Sequence, residues 1–325
     1  MRGKVLYGVP TLWVKVQEVA EVKALRNSWP PVPEITEDEV IREISDVDAV
    51  VSFPGLPLTR RVIEAAPKLK IIAQHSIGFD NVDIKAATDK KVLVTIGLQE
   101  GPQVVAEHAI GFMIALSRKF NLATEAVKKG EWKPREVWGS ELWSKTVGII
   151  GLGRIGSCLA RIAQAFGMKI IAYDPYATGE TASDVGARLV DLVTILKESD
   201  YITIHAPLTE DTRKLIGEKE FRLMKPGVLL INCARGAIVD EEALYMALVE
   251  GRIAGAALDV FSNEPPPSTH PLFKLSNVMF TPHTAGATRE SLVRLAASAD
   301  EDVADVLKGK LPDIQKIINK SILEG

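Results

Sequence analysis

Three ionisable side chains in the second half of the chain are of the types that move protons and hold acidic substrates. Arg235 follows the apolar run Val228–Asn232 in Cys233-Ala234-Arg235-Gly236. Glu264 follows Ala257–Phe261 in Ser262-Asn263-Glu264-Pro265, and His283 follows Val278–Thr281 in Pro282-His283-Thr284-Ala285-Gly286. Each run reads as a strand, so each residue stands just past a strand's C-terminal end, where open parallel sheets gather their ligands. Imidazole gives or takes a proton near neutral pH. Guanidinium can polarise a carbonyl and hold a carboxylate bidentately. A carboxylate beside the imidazole would fix its tautomer and favour its charged form. Taken singly, each has a plainer reading: an arginine after a strand often serves a surface salt bridge, and a loop glutamate before prolines is usually solvated. His75, His108, His205 and His270 read as loop, strand-end or helix residues. Only His283 combines a strand end, a preceding proline and small following residues that leave room for a ligand. Spacing alone leaves both readings of the trio open.

A second constellation concerns phosphate. The run Thr146–Ile150 turns into Gly151-Leu152-Gly153-Arg154-Ile155-Gly156 and then into a helical pattern from Ser157 to Phe166. Gly151 permits a tight turn, Gly153 lets backbone approach a pyrophosphate, and Gly156 lets the helix pack closely on the strand. The helix start offers unpaired N–H groups and a positive dipole end. A bare glycine motif of this kind is a weak signal. Here a second apolar run, Lys169–Tyr173, ends in Asp174, 18 residues beyond Gly156. An acidic side chain there can accept from the ribose hydroxyls of a dinucleotide, the alternative being a plain strand–turn–helix with a surface aspartate. Asp174 also repels a 2′-phosphate, and no Lys or Arg follows before Arg188. These features point to NAD rather than NADP.

The elements that must position these residues alternate along the chain. Strand patterns at Lys169–Tyr173, Tyr201–Ile204, Val228–Asn232, Ala254–Leu258 and Val278–Thr281, with helices between several, predict a doubly wound parallel sheet. Roughly a hundred and forty residues precede the glycine motif. They alternate too, with strands expected at Val5–Val9, Val47–Phe53, Leu69–Gln74 and Val92–Ile96, and Thr36-Glu37-Asp38-Glu39 has capping-box spacing. A second, smaller α/β domain follows. A single long helix is expected from Val104 to Lys129, apolar over much of its surface in its first half and therefore buried, a partner subunit being one way to bury it. The last helix, Ala287–Leu307, is expected to cross back to the first domain. The chain then crosses near residues 98–103 and 284–290, with a substrate domain at 1–101 and 288–325, a nucleotide domain at 102–287 and a cleft between them. Pro265-Pro266-Pro267 reads as a rigid loop.

Composition narrows the classes. A chain of 325 residues has room for two cores. Its 46% hydrophobic and 25% charged residues are ordinary for a globular protein. A net charge of −3 offers no general attraction to nucleic acid or anionic membrane. No apolar run approaches the roughly 18–20 residues needed to span a bilayer, and Met1-Arg2-Gly3-Lys4 leads into a strand rather than a signal peptide. Cys158 and Cys233 fall in a helix and a strand pattern and read as buried filler in a reducing compartment, not as a disulfide or a metal site. A cytoplasmic location and no metal are the expectations.

The chain resembles the D-isomer-specific 2-hydroxyacid dehydrogenases over nearly its whole length. The resemblance is carried by Ser76-Ile77-Gly78-Phe79-Asp80-Asn81-Val82-Asp83, Val105-Ala106-Glu107-His108, the glycine motif, His205-Ala206-Pro207-Leu208, Asn232-Cys233-Ala234-Arg235-Gly236, Leu258-Asp259-Val260-Phe261, Glu264-Pro265 and Thr281-Pro282-His283. It implies a Rossmann domain with a smaller flavodoxin-like substrate domain, and Arg235, Glu264 and His283 as the catalytic set. It implies NAD contacts at Gly151, Gly153, Arg154, Ile155, Gly156, Asp174, His205, Ala206, Pro207, Thr212, Cys233, Ala234, Asp259, His283 and Gly286, with Asp259 meeting the nicotinamide carboxamide. Backbone N–H groups of Ser76, Ile77 and Gly78 would hold the substrate carboxylate beside Arg235. A homodimer through the nucleotide domain is implied as well. In the implied reaction Arg235 grips the carboxylate and polarises the keto oxygen of a 2-oxo acid, protonated His283 donates the proton, and Glu264 keeps His283 oriented and charged.

The substrate stays open at this level among 3-phosphoglycerate, glyoxylate and hydroxypyruvate chemistry. Arg60 and Arg61, after the loop Ser52–Pro57, could receive a phosphate or simply be solvated at a helix start. Val105–His108 resembles phosphoglycerate dehydrogenases, but Phe53-Pro54 replaces the basic residue common in that loop. A chain stopping at Gly325 is expected to lack the regulatory domain that some of them carry. Ile96-Gly97-Leu98-Gln99-Glu100-Gly101 departs from the family's commoner Asn/Pro-containing version. An NAD-sensing corepressor-like binding protein on the same fold is the rival from another class.

Overall fold

The computed structural model describes residues 3–8, 16–26, 35–97, 101–132 and 134–324. The chain divides into two compact units, Met1–Gly101 with Ala287–Gly325, and Pro102–Gly286. The expected strand end at Val9 and the first part of the expected crossing, residues 98–100, lie outside the described residues.

The first unit holds a parallel sheet of β1 (Gly3–Tyr7), β2 (Ala20–Ala24), β3 (Ala49–Ser52), β4 (Ile71–Gln74) and β5 (Leu93–Thr95) in the order β2-β1-β3-β4-β5. This is the flavodoxin-like doubly wound order. Both faces of the inner strands are covered, so their runs are apolar without interruption. Alternation decides which side chain goes where. Leu6, Val50, Ile72 and Val94 pack with Val40, Ile44, Val62 and Ala86 from the helices of one face. Val5, Tyr7, Val51, Ile71 and Ala73 point the other way, against Ala299 and Val303 of the helix Arg289–Leu307. That last helix thus belongs to the first unit. Thr288 caps it reciprocally: its hydroxyl accepts from Ser291 N at 3.1 Å, and Ser291 Oγ accepts from Thr288 N at 3.1 Å. At the other capping-box sequence the result differs. Thr36 accepts from Glu39 N, but the Glu39 carboxylate turns away to the guanidinium of Arg26.

The second unit holds seven parallel strands: β6 (Thr146–Ile150), β7 (Lys169–Tyr173), β8 (Ala187–Leu189), β9 (Tyr201–Ile204), β10 (Leu229–Asn232), β11 (Gly255–Leu258) and β12 (Val278–Phe280). Their order is β12-β11-β10-β9-β6-β7-β8. Winding reverses between the neighbours β6 and β9, which makes the end of β6 the topological switch point. The glycine turn stands there.

Two sequence expectations need correction. The single helix Val104–Lys129 is two, Pro102–Ser117 and Phe120–Lys128. The break has a distant cause. Ser140 N donates to Ser117 O at 2.8 Å, and Gly139 lies so close that a Cβ there would sit 2.2 Å from that oxygen. A later loop therefore claims the helix's last carbonyl, and Lys119 turns the chain through the left-handed region at φ 51°. The second correction concerns β2 and β8, which periodicity did not single out. Both are short edge strands, and their exposed Glu21, Lys23 and Arg188 break the apolar signal.

Candidate active site

The proton-handling residues sit on three adjacent strands of the second unit. Parallel pairing β10–β11–β12 puts all three C-terminal ends on one side of the sheet. After β10, Asn232 shapes the turn: its Oδ1 accepts from Ala234 N at 3.0 Å, and its Nδ2 donates to Arg235 O at 3.0 Å. Arg235 Nη1 donates to Ala234 O at 2.8 Å. Gly236 lies against the backbone after β11, where a Cβ would fall 1.9 Å from the Phe261 carbonyl carbon. Only glycine lets the Arg235 turn approach the Glu264 loop this closely.

Glu264 and His283 meet directly. Glu264 Oε1 accepts from Phe261 N at 2.9 Å, which aims the carboxylate, and Oε2 contacts His283 Nδ1 at 2.6 Å. Nδ1–H is the donor, so Nε2 is left for a substrate. The pair is accessible, with 44% of the His283 and 34% of the Glu264 side chain exposed. The hydrogen bond to Glu264 raises the His283 pKa above the ordinary imidazole value, against burial and the charge of Arg235, which lower it. Burial pushes the Glu264 carboxyl upward, but His283, Phe261 N–H and Arg235 together hold it below the usual carboxylate range. The contact thus favours the imidazolium of His283 and the carboxylate of Glu264.

The loop carrying His283 hangs on Asp259, which is 1% exposed. Its carboxylate accepts from Thr281 Oγ1, Thr284 N at 2.8 Å and Ala285 N at 2.9 Å, and its carbonyl accepts from His283 N at 2.8 Å. These bonds hold His283 at φ 54°, in the left-handed region that few residues other than glycine adopt.

At the switch point the residues fit a dinucleotide. Gly151 has φ 94°, and a Cβ there would lie 2.7 Å from Ala206 N. A Cβ at Gly156 would lie 2.2 Å from Gly151 O, so helix and turn need both glycines. Gly153 is the opposite case: a Cβ would meet nothing within 4 Å. The turn is closed below and open at Gly153, where the helix Arg154–Ala165 begins with no side chain capping it. Gly153 and Arg154 are exposed and Ile155 is half-buried. A phosphate can reach those N–H groups. Asp174 Oδ1 accepts from Tyr176 N and Ala177 N, and Oδ2 accepts from Leu152 N at 2.8 Å. Oδ2 has a second lone pair for a ribose hydroxyl. Asp174→Ala is expected to weaken NADH binding by about tenfold and to narrow the preference over NADPH, read by fluorescence titration with both. Unchanged discrimination would remove Asp174 from the recognition.

The remaining predicted contacts spread around this turn. His205 follows β9; burial pushes its pKa down to about 4, its Nε2 meets Thr203 Oγ1 at 2.9 Å, and its buried Nδ1 has no hydrogen-bond partner among the described residues. Ala206 packs on the core, and Thr212 Oγ1 donates to Pro207 O at 2.7 Å, closing that loop. Cys233 and Ala234 are buried, Cys233 with its thiol pKa raised by burial, and Gly286 lies beside Val105. Both cysteines are free. In the first unit, Ser76 Oγ donates to Gly78 O at 2.6 Å and Ile77 packs beside Gly101. Asn81 fixes this turn's surroundings, donating to Leu56 O at 2.8 Å and accepting from Gln74 Nε2 at 2.8 Å. Phe53 is buried in that unit's core. Arg60 pairs with Asp89 at 3.0 Å, and Arg61 with Glu37 at 2.6 Å. Among the described residues, no cluster of His, Cys, Asp or Glu could hold a metal, and no helix is long and apolar enough to cross a membrane. Single-residue reasoning missed Asn232 and Thr281, for which the motifs containing them are the only sequence signal.

The fold is of the doubly wound α/β class, with a glycine turn at the switch point and an Arg, Glu and His past neighbouring strand ends, and comparison with known proteins says which family has this combination. Residues 110–285 match the family described as "D-isomer specific 2-hydroxyacid dehydrogenase, NAD binding domain". The chain is 43% identical over 299 residues to the D-3-phosphoglycerate dehydrogenase of Methanocaldococcus jannaschii, a match covering 92% of this chain and 56% of that protein. It thus spans little more than half of that relative's length. It is 38% identical over 314 residues to the glyoxylate reductase of Korarchaeum cryptofilum, covering 95% of this chain and 93% of the other. Among solved structures, the D-lactate dehydrogenase of Aquifex aeolicus complexed with NAD and lactic acid aligns with a TM-score of 0.84 at 32% identity, over 97% and 98% of the two chains. The chain belongs to the D-isomer specific 2-hydroxyacid dehydrogenase family.

Proposed function

We propose that this protein is an NAD-dependent D-2-hydroxyacid dehydrogenase that reduces small, unphosphorylated 2-oxo acids such as glyoxylate and hydroxypyruvate. The observation that carries the reading is the 2.6 Å contact of His283 Nδ1 with Glu264 Oε2, with the charge of Arg235 acting on both. Bound NADH supplies the hydride. Arg235 binds the substrate carboxylate and polarises its keto oxygen; His283 Nε2 gives that oxygen a proton, and Glu264 stabilises the imidazolium until then. In oxidation, neutral His283 takes the proton back at Nε2. Backbone N–H groups of the Ser76–Gly78 turn are proposed to bind the substrate carboxylate, with the first unit as the substrate domain. Arg60 and Arg61 are engaged by Glu64, Asp89, Glu37 and Asp38, which argues against a phosphorylated substrate. The test compares NADH oxidation with glyoxylate, hydroxypyruvate, 3-phosphohydroxypyruvate and pyruvate. Preference for the phosphorylated acid would overturn the substrate assignment. Silence on all four with NADH still bound would favour a sensor.

The pH dependence has a definite sign. Reduction needs charged His283, so it falls as pH rises through that raised pKa; oxidation rises over the same interval. On the acid side oxidation is already lost as pH falls through the His283 pKa, and reduction fails as pH falls through the lowered Glu264 pKa. Glu264→Gln removes the main group raising His283, so the alkaline limb of reductive kcat/KM should move to lower pH. An unmoved limb would separate Glu264 from His283.

The protein is further proposed to be a homodimer through its nucleotide domain. Phe120, Val127, Trp132, Trp138 and Trp143 are large apolar side chains exposed within one stretch of the chain, a load that a lone soluble surface seldom carries. Sedimentation at micromolar concentration should give twice the 35.4 kDa chain mass, and a monomer would contradict it. The two free cysteines support a reducing compartment, the cytoplasm, checked by cell fractionation.

A further inference from the structure

His108 lies on the helix Pro102–Ser117, half-buried, with its ring edge-on to Phe112 at 4.6 Å between centroids. Its Nε2 is 3.0 Å from Thr281 Oγ1. Thr281 has one hydroxyl proton, and that proton goes to Asp259 Oδ1, because a carboxylate can only accept. The oxygen therefore meets His108 with a lone pair, and Nε2 must carry a proton. Burial lowers the His108 pKa against the pull of Asp259 and so favours the neutral ring, with the proton on Nε2 and Nδ1 bare. A directed chain results: His108 Nε2–H to Thr281 Oγ1–H to Asp259. Its last member also accepts from Thr284 N and Ala285 N and, through its carbonyl, from His283 N. His283 stands inside this set of bonds in a left-handed backbone conformation that its own preferences do not maintain.

We propose that His108 is a positioning residue, which fixes the Thr281 hydroxyl so that Asp259 holds the His283 loop in its catalytic conformation. This rests on the dehydrogenase reading above. His108 touches none of the reacting groups in this role; it acts through Thr281. The charged groups facing His283 are Glu264, Asp259 and Arg235, and the chain from His108 ends on one of them.

The test uses three single variants and one double variant of the full chain. Gln places an amide N–H near the position of His Nε2, so His108→Gln should keep kcat within about threefold, whereas His108→Leu should lose about tenfold in kcat with KM for the oxo acid little changed. Thr281→Val should match His108→Leu, and the two together should cost no more than either alone. The second readout is the His283 imidazole pKa by NMR titration, which should shift down in His108→Leu and return in His108→Gln. Full activity and an unshifted pKa in His108→Leu, or additive losses in the double variant, would overturn the proposal. Losses of equal size in the Gln and Leu variants would also overturn it, because packing rather than the N–H would then be responsible. If the unaltered protein reduces no 2-oxo acid, the functional reading fails, while the NMR titration still decides the positioning role.

Discussion

His283→Ala is expected to lower turnover by about 10²–10⁴-fold, the contribution of a positioned general acid, while NADH affinity stays within a few-fold. The expectation follows from how the imidazole is held. Nδ1–H is committed to Glu264, so Nε2 is the atom left to serve a substrate oxygen. Glu264, the carboxyl beside it, is held ionised and so has no proton to donate in its place. The groups proposed to hold most of the cofactor, at Gly151–Gly156 and Asp174, stand after β6 and β7 and are untouched. Residual activity in the variant should also lose the alkaline limb that His283 imposes. Wild-type turnover with alanine at 283 would remove the residue from the chemistry.

Arg235→Lys should cost nearly as much, about 10²–10³-fold in kcat/KM, with much of the loss in KM for the oxo acid. The charge survives in this variant but the geometry does not. Guanidinium can hold a carboxylate with two parallel N–H groups while a further N–H stays on a backbone carbonyl, here Ala234 O at 2.8 Å. An ammonium is a point charge on a flexible stem and cannot serve both. The turn itself should persist, because Asn232 shapes it through Ala234 N and Arg235 O rather than through the arginine side chain. Equal kcat/KM for the two proteins would show that charge alone suffices at this position.

The legibility of this site in the sequence was uneven for physical reasons. The glycine turn and Asp174 are local: backbone demands at Gly151 and Gly156 act within one strand–turn–helix, so spacing exposes them. The proposed catalytic trio is not local. Residues 235, 264 and 283 come together because β10, β11 and β12 are neighbours in a parallel sheet, and no periodicity encodes that adjacency. Each looked ordinary until the resemblance joined them. Most of the doubly wound strands were readable from buried apolar runs, whereas the edge strands β2 and β8 were hidden by Glu21, Lys23 and Arg188. The break at Lys119 was invisible for another reason. Its cause is a loop about twenty residues downstream that takes Ser117 O, a tertiary contact that overrides good local helix sequence. The support of His283 by Asp259, Thr281 and His108 is a side-chain network, for which sequence spacing carries no signal at all.

Arg235, Glu264 and His283 are proposed to reduce a 2-oxo acid to its D-hydroxy acid with NADH. The most direct measurement incubates the protein with NADH and hydroxypyruvate and resolves the glycerate formed by chiral chromatography. D-glycerate is expected, one molecule for each NADH oxidised. L-glycerate, or no glycerate from a protein that still binds NADH, would contradict it.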